Sequence, residues 1–311
     1  MKYLSRNLKE KDVKSDPIYD ILLDRLTASW VAQPDKPEET PESTLKALCF
    51  LAVGVPISVQ KASHENIPEL NEHSRIQLQS LVEKRLTGIP LAHITGRQQF
   101  LGMELLAGPE ALIPRIETEI LGHAALAIAK SITDTQDTVT VLDVCTGSGN
   151  VALGVASNES RSRVFGSDLS EEAITLARKN AHHLNLENRV EFRQSDLFAA
   201  FETDKFYRKM DLVTCNPPYI PSVKIGSMDP EISQREPRLA FDGGSLGITI
   251  LTRLIRESPK YLKPNSYLCF EVGLGQGKAM EQRLKKENIY YNIQSYADAS
   301  NQVRALSAQV T

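Results

Sequence analysis

The sequence predicts an α/β protein: a mostly parallel sheet covered by helices, behind a small helical amino-terminal domain and a β-hairpin linker. Three observations predict it. From about Ile113 onward, short β-branched runs alternate with longer amphipathic ones, the order that builds a parallel sheet with helices on both faces. The first of those runs feeds a Gly-x-Gly turn, Gly147-Ser148-Gly149, which opens a Rossmann-like unit. Before Gly88, apolar residues recur at helical spacing instead.

The helical domain spans residues 1–88. Asp16-Pro17 starts its first helix, with Ile18, Ile21, Leu22, Leu26 and Trp30 at helical spacing. A Pro- and acid-rich loop follows from Gln33 to Glu42. Thr44 is placed to cap an apolar helix running through Val53. A third helix is expected from about Pro68 to Leu86, with Ile76, Leu81, Val82 and Leu86 on one face; Gly88 and Pro90 end it. Residues 89–112 change period. His93 to Arg97 and Gln99 to Leu105 read as two short strands with turn glycines, a hairpin between domains.

Residues 113–311 form the sheet domain. Strands are expected at Thr138–Val144, Arg163–Asp168, Val190–Arg193, Asp211–Cys215, Ser266–Val272 and, last, Tyr290–Ala297. Helices are expected from Asn150, over Glu171–Leu184, Gly247–Tyr261 and Gln276–Lys286.

Composition narrows the function. With 311 residues the chain has room for two domains, and a net charge of −3 argues against a general nucleic-acid binder. Cys49, Cys145, Cys215 and Cys269 are far apart, and the six histidines form no HxxxH or HExxH pattern, so no metal site is expected. The longest apolar stretch, Leu45 to Val59, is broken by Lys46, Gly54 and Pro56 and is too short for a bilayer. The amino terminus mixes Lys2, Arg6 and Lys9 with Glu10 and Asp12 and has no apolar segment, so no signal or transit peptide is read. A cytoplasmic monomer with reduced thiols is the expectation.

Two segments carry chemistry. In the first, Val139 to Val144 runs into Cys145-Thr146-Gly147-Ser148-Gly149, where glycines let a ligand approach the backbone. Asp168 closes the next strand, about 20 residues on, where a carboxylate accepts ribose hydroxyls. Asp196 follows the third strand, within reach of an adenine amino group. Gly147-x-Gly149-x-x-Ala152 also satisfies the dinucleotide fingerprint, so NAD competes with S-adenosylmethionine, and a tight turn without a ligand is the bland reading. Asp143 favours S-adenosylmethionine, since a carboxylate near the turn suits an ammonium and opposes a pyrophosphate. Asp196 has a role only in that scheme.

The second segment is Asn216-Pro217-Pro218-Tyr219, directly after a buried-strand pattern. Two prolines stiffen an extended loop and exclude helix or central strand. Asn216 brings a carbonyl and an amide NH2, and Tyr219 a flat face with a polar tip. The set suits a planar group carrying an NH2; a rigid Pro-rich turn is the alternative. Glu117 and Thr118 read either as part of a closing site or as a helix start, and Arg115 as a salt bridge, a partner contact or both.

With these residues in hand, the chain resembles the HemK-type release-factor glutamine N5-methyltransferases, which are class I S-adenosylmethionine-dependent enzymes. The resemblance rests on Gly88-Ile89-Pro90, Ile94-Thr95-Gly96, Phe100-Leu101-Gly102, Leu112 to Glu119, Leu142 to Gly149, Asn216 to Ile220, Glu236-Pro237, Ala240 to Gly244, and Glu271-Val272-Gly273 with Gln276. The chain departs from the pattern at His93, Cys145, Ser245-Leu246 and Asn301. The resemblance implies transfer of a methyl group from S-adenosylmethionine to a protein glutamine, that of the Gly-Gly-Gln loop of peptide chain release factors. A ribosomal-protein glutamine, a small molecule or peptide, or adenine N6 are the alternative targets. It implies catalytic roles for Asn216, Pro217, Pro218 and Tyr219. It implies cofactor contacts at Asp143, Cys145, Thr146, Gly147, Ser148, Gly149, Asp168, Asp196, Leu197 and Asn216. It assigns choice of protein partner to the helical domain.

Overall fold

The computed structural model describes residues 17–33 and 35–311. Asp16 and the charged amino-terminal residues read above lie outside them.

Among the described residues, four helices precede the hairpin: α1 (Pro17–Ala28), α2 (Pro41–Ala52), α3 (Val59–His64) and α4 (Glu72–Leu86), followed by a single turn, α5 (Leu91–Thr95). They enclose a core of Leu22, Leu26, Leu45, Leu48, Leu78 and Val82. The α2 cap is Thr40, not Thr44: the Thr40 hydroxyl accepts from Ser43 N, the Ser43 hydroxyl accepts from Thr40 N, and Pro41 takes the first helical position. Thr44 is buried inside the helix. On α4 the buried line is Ser74, Leu78 and Val82, at i, i+4 spacing. Ile76, assigned above to the inner face, is 62% exposed.

His93 to Thr95 is helical, not a strand. The β-branched Ile94 and Thr95 suggested extension, but Pro90 starts a helical turn and Gly96, at φ 68°, stops it in the left-handed region. The hairpin lies wholly beyond it, β1 (Arg97–Phe100) against β2 (Met103–Leu106).

The sheet domain contains α6 (Thr118–Thr133), β3 (Val139–Val144), α7 (Asn150–Asn158), β4 (Ser162–Asp168), α8 (Glu171–His183), β5 (Val190–Gln194), β6 (Met210–Cys215), α9 (Pro230–Ser233), α10 (Thr249–Glu257), β7 (Leu262–Glu271), α11 (Gly277–Lys286), β8 (Tyr290–Ala297) and β9 (Val303–Val310). The seven strands lie in the order β5-β4-β3-β6-β7-β9-β8. All neighbours from β5 to β7 pair parallel, and β9 runs antiparallel between β7 and β8. The sequence reading ended the sheet at β8 and missed β9. A turn at Asn301 (φ 61°), with Asp298 Oδ1 accepting from Ser300 N and Gln302 N, reverses the chain there.

The sheet is buried on both faces. Val139 and Val141 of β3 join α6, α7 and α8 in one core, while Leu142 and Val144 pack with α10, α11 and Phe198, Phe201 and Tyr261 in the other. Apolar residues on both faces are what a covered parallel sheet requires.

Two of the four departures from the family pattern stand where the backbone favours glycine. Cys145 (φ 58°) and Asn301 (φ 61°) both occupy the left-handed region, where glycine is unstrained. Asn tolerates that region through local hydrogen bonding; Cys145 carries the strain.

Candidate functional site

The order of strands reverses at β3. From β3 the chain goes outward through β4 and β5, then returns to add β6 on β3's other side. Ligands bind in such sheets beyond the strand carboxyl ends at this switch point. The register pairs Val144 with Cys215, so Cys145-Thr146-Gly147 and Asn216-Pro217-Pro218 leave the sheet side by side.

Two cavities meet there. The first is lined by Cys145, Thr146, Gly147, Ser148, Asp168, Asp196, Leu197, Asn216 and Pro218, with Thr118, Leu239 and Ile250 among the residues closing it. The second is lined by Asn216, Pro217 and Tyr219, with Arg115, Glu117, Met228, Ile232, Glu271 and Arg304. Asn216 is a wall of both. The four-residue loop therefore divides: Pro218 faces the first cavity, Pro217 and Tyr219 the second.

Two residues expected at the cofactor do not line the first cavity. Asp143 is 1% exposed, and its carboxylate accepts from Thr146 Oγ1 (2.5 Å) and Thr214 Oγ1 (2.7 Å). It ties the glycine turn to β6 from behind. Burial pushes its carboxyl up to about 6, against the pull of the two threonines. Gly149 faces the core: a Cβ there would meet the Phe192 ring at 2.9 Å. Its glycine is required by a φ of 85° and by helix packing.

Asp168 stands where the sequence placed it. Its Oδ2 accepts from Gly147 N (2.9 Å) and its Oδ1 from Ser170 N (3.0 Å). The carboxylate keeps acceptor capacity for a hydroxyl. Burial raises its carboxyl above the ordinary range. Asp196 lines the cavity, but Arg253 holds both its oxygens, at 2.8 and 3.1 Å. Ser148 is 2% exposed, lines the cavity, and its Oγ has no hydrogen-bond partner. An orphaned buried hydroxyl beside Asp168 is a donor set fitted to a polar, hydroxyl-bearing ligand.

The Asn216–Tyr219 loop is held from outside. Tyr219 O accepts from Gln276 Nε2 (3.2 Å), Ile220 N donates to Phe241 O (2.9 Å), and Gly243 N donates to Ile220 O (2.8 Å). Gly243 has no room for a side chain: a Cβ would lie 2.6 Å from Pro218 O. Among the described residues, no hydrogen bond reaches Pro217 O or Asn216 Oδ1. Asn216 Nδ2 donates to Thr118 Oγ1 (3.2 Å), and the Tyr219 hydroxyl donates to Glu271 Oε1 (2.9 Å). The loop thus offers two free acceptors and no free donor from its proline pair.

Arg115 is a salt-bridge residue. It pairs with Asp35 (3.2 Å) and with Glu236, whose other oxygen accepts from Ile113 N (2.8 Å). Thr118 is both the first residue of α6 and a wall of the first cavity, so its two readings coexist. Glu271 and the Ala240–Asp242 stretch entered the sequence reading only as parts of the resemblance, and neither they nor Arg304 and Leu239 were given a role in the site. Glu271 carried a physical signal, a carboxylate at the end of an apolar strand; the 240–242 stretch carried only its likeness to the family pattern.

Among the described residues no cluster of His, Cys, Asp or Glu is placed to hold a metal, and no helix is long and apolar enough to cross a membrane.

A methyltransferase-domain family model matches residues 135–308. The fold is shared with two solved structures. The chain matches the catalytic domain of human METTL16 bound to an RNA hairpin at TM-score 0.53 and 14% identity, covering 74% of this chain and 84% of that one. It matches the N-terminal domain of METTL16 in complex with SAH at TM-score 0.51 and 15% identity, covering 84% and 93%. Fold and family model together define a class I methyltransferase. Sequence relatives narrow this. A release factor glutamine methyltransferase of Thermodesulfovibrio yellowstonii is 36% identical over 69% of this chain and 74% of its own length. One of Caulobacter vibrioides is 31% identical over 82% and 86%. The chain belongs to the release factor glutamine methyltransferase family, whose methyl donor is S-adenosylmethionine.

Proposed function

We propose that this enzyme methylates the side-chain nitrogen of a glutamine in a peptide chain release factor, that of its Gly-Gly-Gln loop. One observation carries the reading beyond family membership: Asn216 lines both cavities, and the acceptors Asn216 Oδ1 and Pro217 O are free. A donor cofactor in one cavity and a carboxamide in the other would meet at that residue.

S-adenosylmethionine, when bound, supplies an electrophilic methyl group on a sulfonium. The chain's own residues do the rest by positioning. Asp168 presents its two oxygens to ribose hydroxyls, and Ser148 Oγ answers a polar group of the same ligand. Asp143 acts indirectly, fixing Thr146 and with it the turn that backs the cofactor.

An amide nitrogen is a poor nucleophile, because its lone pair is delocalised into the carbonyl. Alignment must compensate. Asn216 Oδ1 and Pro217 O each accept one N–H of the target amide. As that nitrogen takes up the methyl group, whose bond to sulfur would break, it gains positive charge that both oxygens hold more tightly than before; it then releases one N–H proton to a nearby oxygen or to water. Tyr219 walls the amide. Burial, with the Glu271 carboxyl beside it, pushes the Tyr219 phenol well above its ordinary range, so it stays a donor to Glu271 at neutral pH. Pro218 shapes the loop.

The helical amino-terminal domain, residues 1–88, with the 89–112 linker, supplies the surface for the protein partner. The setting is the cytoplasm, where release factors work; no nucleic acid or membrane takes part. Intact-mass analysis of a release factor after incubation with enzyme and cofactor tests this. A gain of one methyl on the Gly-Gly-Gln glutamine is expected. Unmodified release factor, with label going instead to DNA, RNA or a ribosomal protein, would overturn it.

A further inference from the structure

The Asn216 carboxamide works only one way round. Its oxygen must face the target amide, and a flipped carboxamide would present a donor to a donor. Thr118 Oγ1 accepts from Asn216 Nδ2, but a hydroxyl both donates and accepts. Thr118 alone therefore does not decide which end of Asn216 it meets.

A carboxyl behind Thr118 decides it. Glu271, at the end of β7, is 2% exposed. Tyr219 donates to its Oε1, its Oε2 is buried without a hydrogen bond, and the Thr118 hydroxyl is close enough to pull the carboxyl down. An ionised carboxylate only accepts. It draws the Thr118 hydrogen toward itself and leaves a Thr118 lone pair toward Asn216. Asn216 must then turn its NH2 to Thr118 and its oxygen to the cavity.

We propose that Glu271 is a positioning residue for methyl transfer, setting the orientation of Asn216 through the Thr118 hydroxyl and that of Tyr219 directly. The proposal rests on the reading of Asn216 Oδ1 as acceptor for the target amide.

The charge environment of Glu271 makes this testable. Burial pushes its carboxyl up to about 7; Thr118, Tyr219 and the Arg304 charge on β9 pull it down, and Glu117 before α6 pushes it up. Arg115 and Asp35, on the far wall of the same cavity, pair with each other. Above about 7 the carboxylate holds the relay in the working direction. Below it, a protonated Glu271 donates to Thr118, whose hydrogen then turns to Asn216 and attracts its oxygen away from the substrate. A buried charge of this kind is costly to keep, and a group retained against that cost fits a functional task.

The test combines kinetics with a readout that needs no substrate. Glu271→Gln preserves volume and an acceptor for Tyr219 but adds a permanent donor facing Thr118. Turnover on release factor is expected to fall at least ~10-fold, with cofactor affinity and KM within about 2-fold. The fall in wild-type kcat below about pH 7 disappears in this variant. Thr118→Val behaves like Glu271→Gln, and Thr118→Ser restores wild-type turnover. In cofactor-bound protein labelled with nitrogen-15, the Asn216 side-chain NH2 resonances, assigned by their loss in Asn216→Asp, titrate near pH 7 in wild type and stay fixed in Glu271→Gln. Resonances that titrate alike in both proteins would overturn the proposal, whether or not a variant is active. So would Thr118→Ser falling as far as Thr118→Val. Wild-type protein that titrates as described yet leaves release factors unmethylated would refute the substrate reading alone.

Discussion

Glu231 lies on α9, in the segment between the Asn216 loop and α10, and grips the amino-terminal domain. Its Oε1 accepts from Lys36 Nζ at 2.9 Å and its Oε2 from Arg85 Nη1 at 2.6 Å. The three side chains are 7%, 2% and 11% exposed. Burial pushes Glu231 up, but Lys36 and Arg85 together outweigh it and hold the carboxyl below its ordinary range. Glu39, the other anion near Arg85 (3.6 Å), is pushed up by burial to about 7 and so carries only part of a charge at neutral pH. Glu231→Gln leaves two buried cations, Lys36 and Arg85, with Glu39 as the anion beside them, and Glu39 ionises more readily once the Glu231 charge is gone, which offsets part of the loss. Breaking a buried ion pair from one side costs about 3–5 kcal/mol. Glutamine keeps one acceptor, so the lower end, about 3 kcal/mol, is expected. At 2–4 °C per kcal/mol for a large domain, the midpoint should fall by roughly 6–12 °C. Thermal and urea unfolding measure it, with Glu83→Gln as control: that residue also pairs with an arginine, Arg25, but both are solvent-exposed, and such pairs contribute little. Activity should fall too, because Ile232 and Met228 wall the second cavity. A Glu231→Gln midpoint no lower than that of Glu83→Gln would refute the reasoning.

Four further outcomes are expected. Asn216→Ala should lower kcat by about 10²–10³-fold, the scale for one preorganised polar partner, while calorimetry shows cofactor affinity nearly unchanged. Asp168→Ala should do the reverse, weakening cofactor binding by about 1.5–3 kcal/mol as two hydroxyls lose a charged acceptor. Gly243→Ala puts a Cβ 2.6 Å from Pro218 O and 2.9 Å from Tyr219 Cα; a backbone shift costing about 1–3 kcal/mol should appear as lost turnover in a single-turnover assay. Glu271, raised to about 7 from 4.5, destabilises the folded state while ionised. Its cost is full above pH 7, shrinks as pH falls through 7, and is gone below 4.5. Glu271→Gln should thus melt higher than wild type at pH 8, with the difference vanishing by about pH 4.5.

Much of the site was legible because it is built from local chemistry. The glycine turn, the proline pair and Asp168 announce themselves by residue type at a strand end, where a parallel sheet puts its ligands. Asp143 was placed at the right turn but given the wrong neighbour. The sequence shows a carboxylate near the glycine turn; it does not show that Asp143 is buried behind that turn, with one oxygen on Thr146 and the other on Thr214. Asp196 likewise reached the cavity with its carboxylate already held by Arg253. In the amino-terminal domain the Pro- and acid-rich loop gave no sign of burial in its sequence. It holds Lys36 and Glu39, which are 2% and 4% exposed.

Period and turn chemistry, which act over a few residues, determined the parallel strands, the switch-point turn and the stiff loop after β6. Contacts between distant residues were decided by the tertiary structure alone: Asn216 to Thr118 across 98 positions, Lys36 to Glu231 across 195. Such pairs depend on strand register and helix docking, which no local pattern encodes. The same packing turns a charge that sequence alone would leave in water into one that must be matched inside the protein.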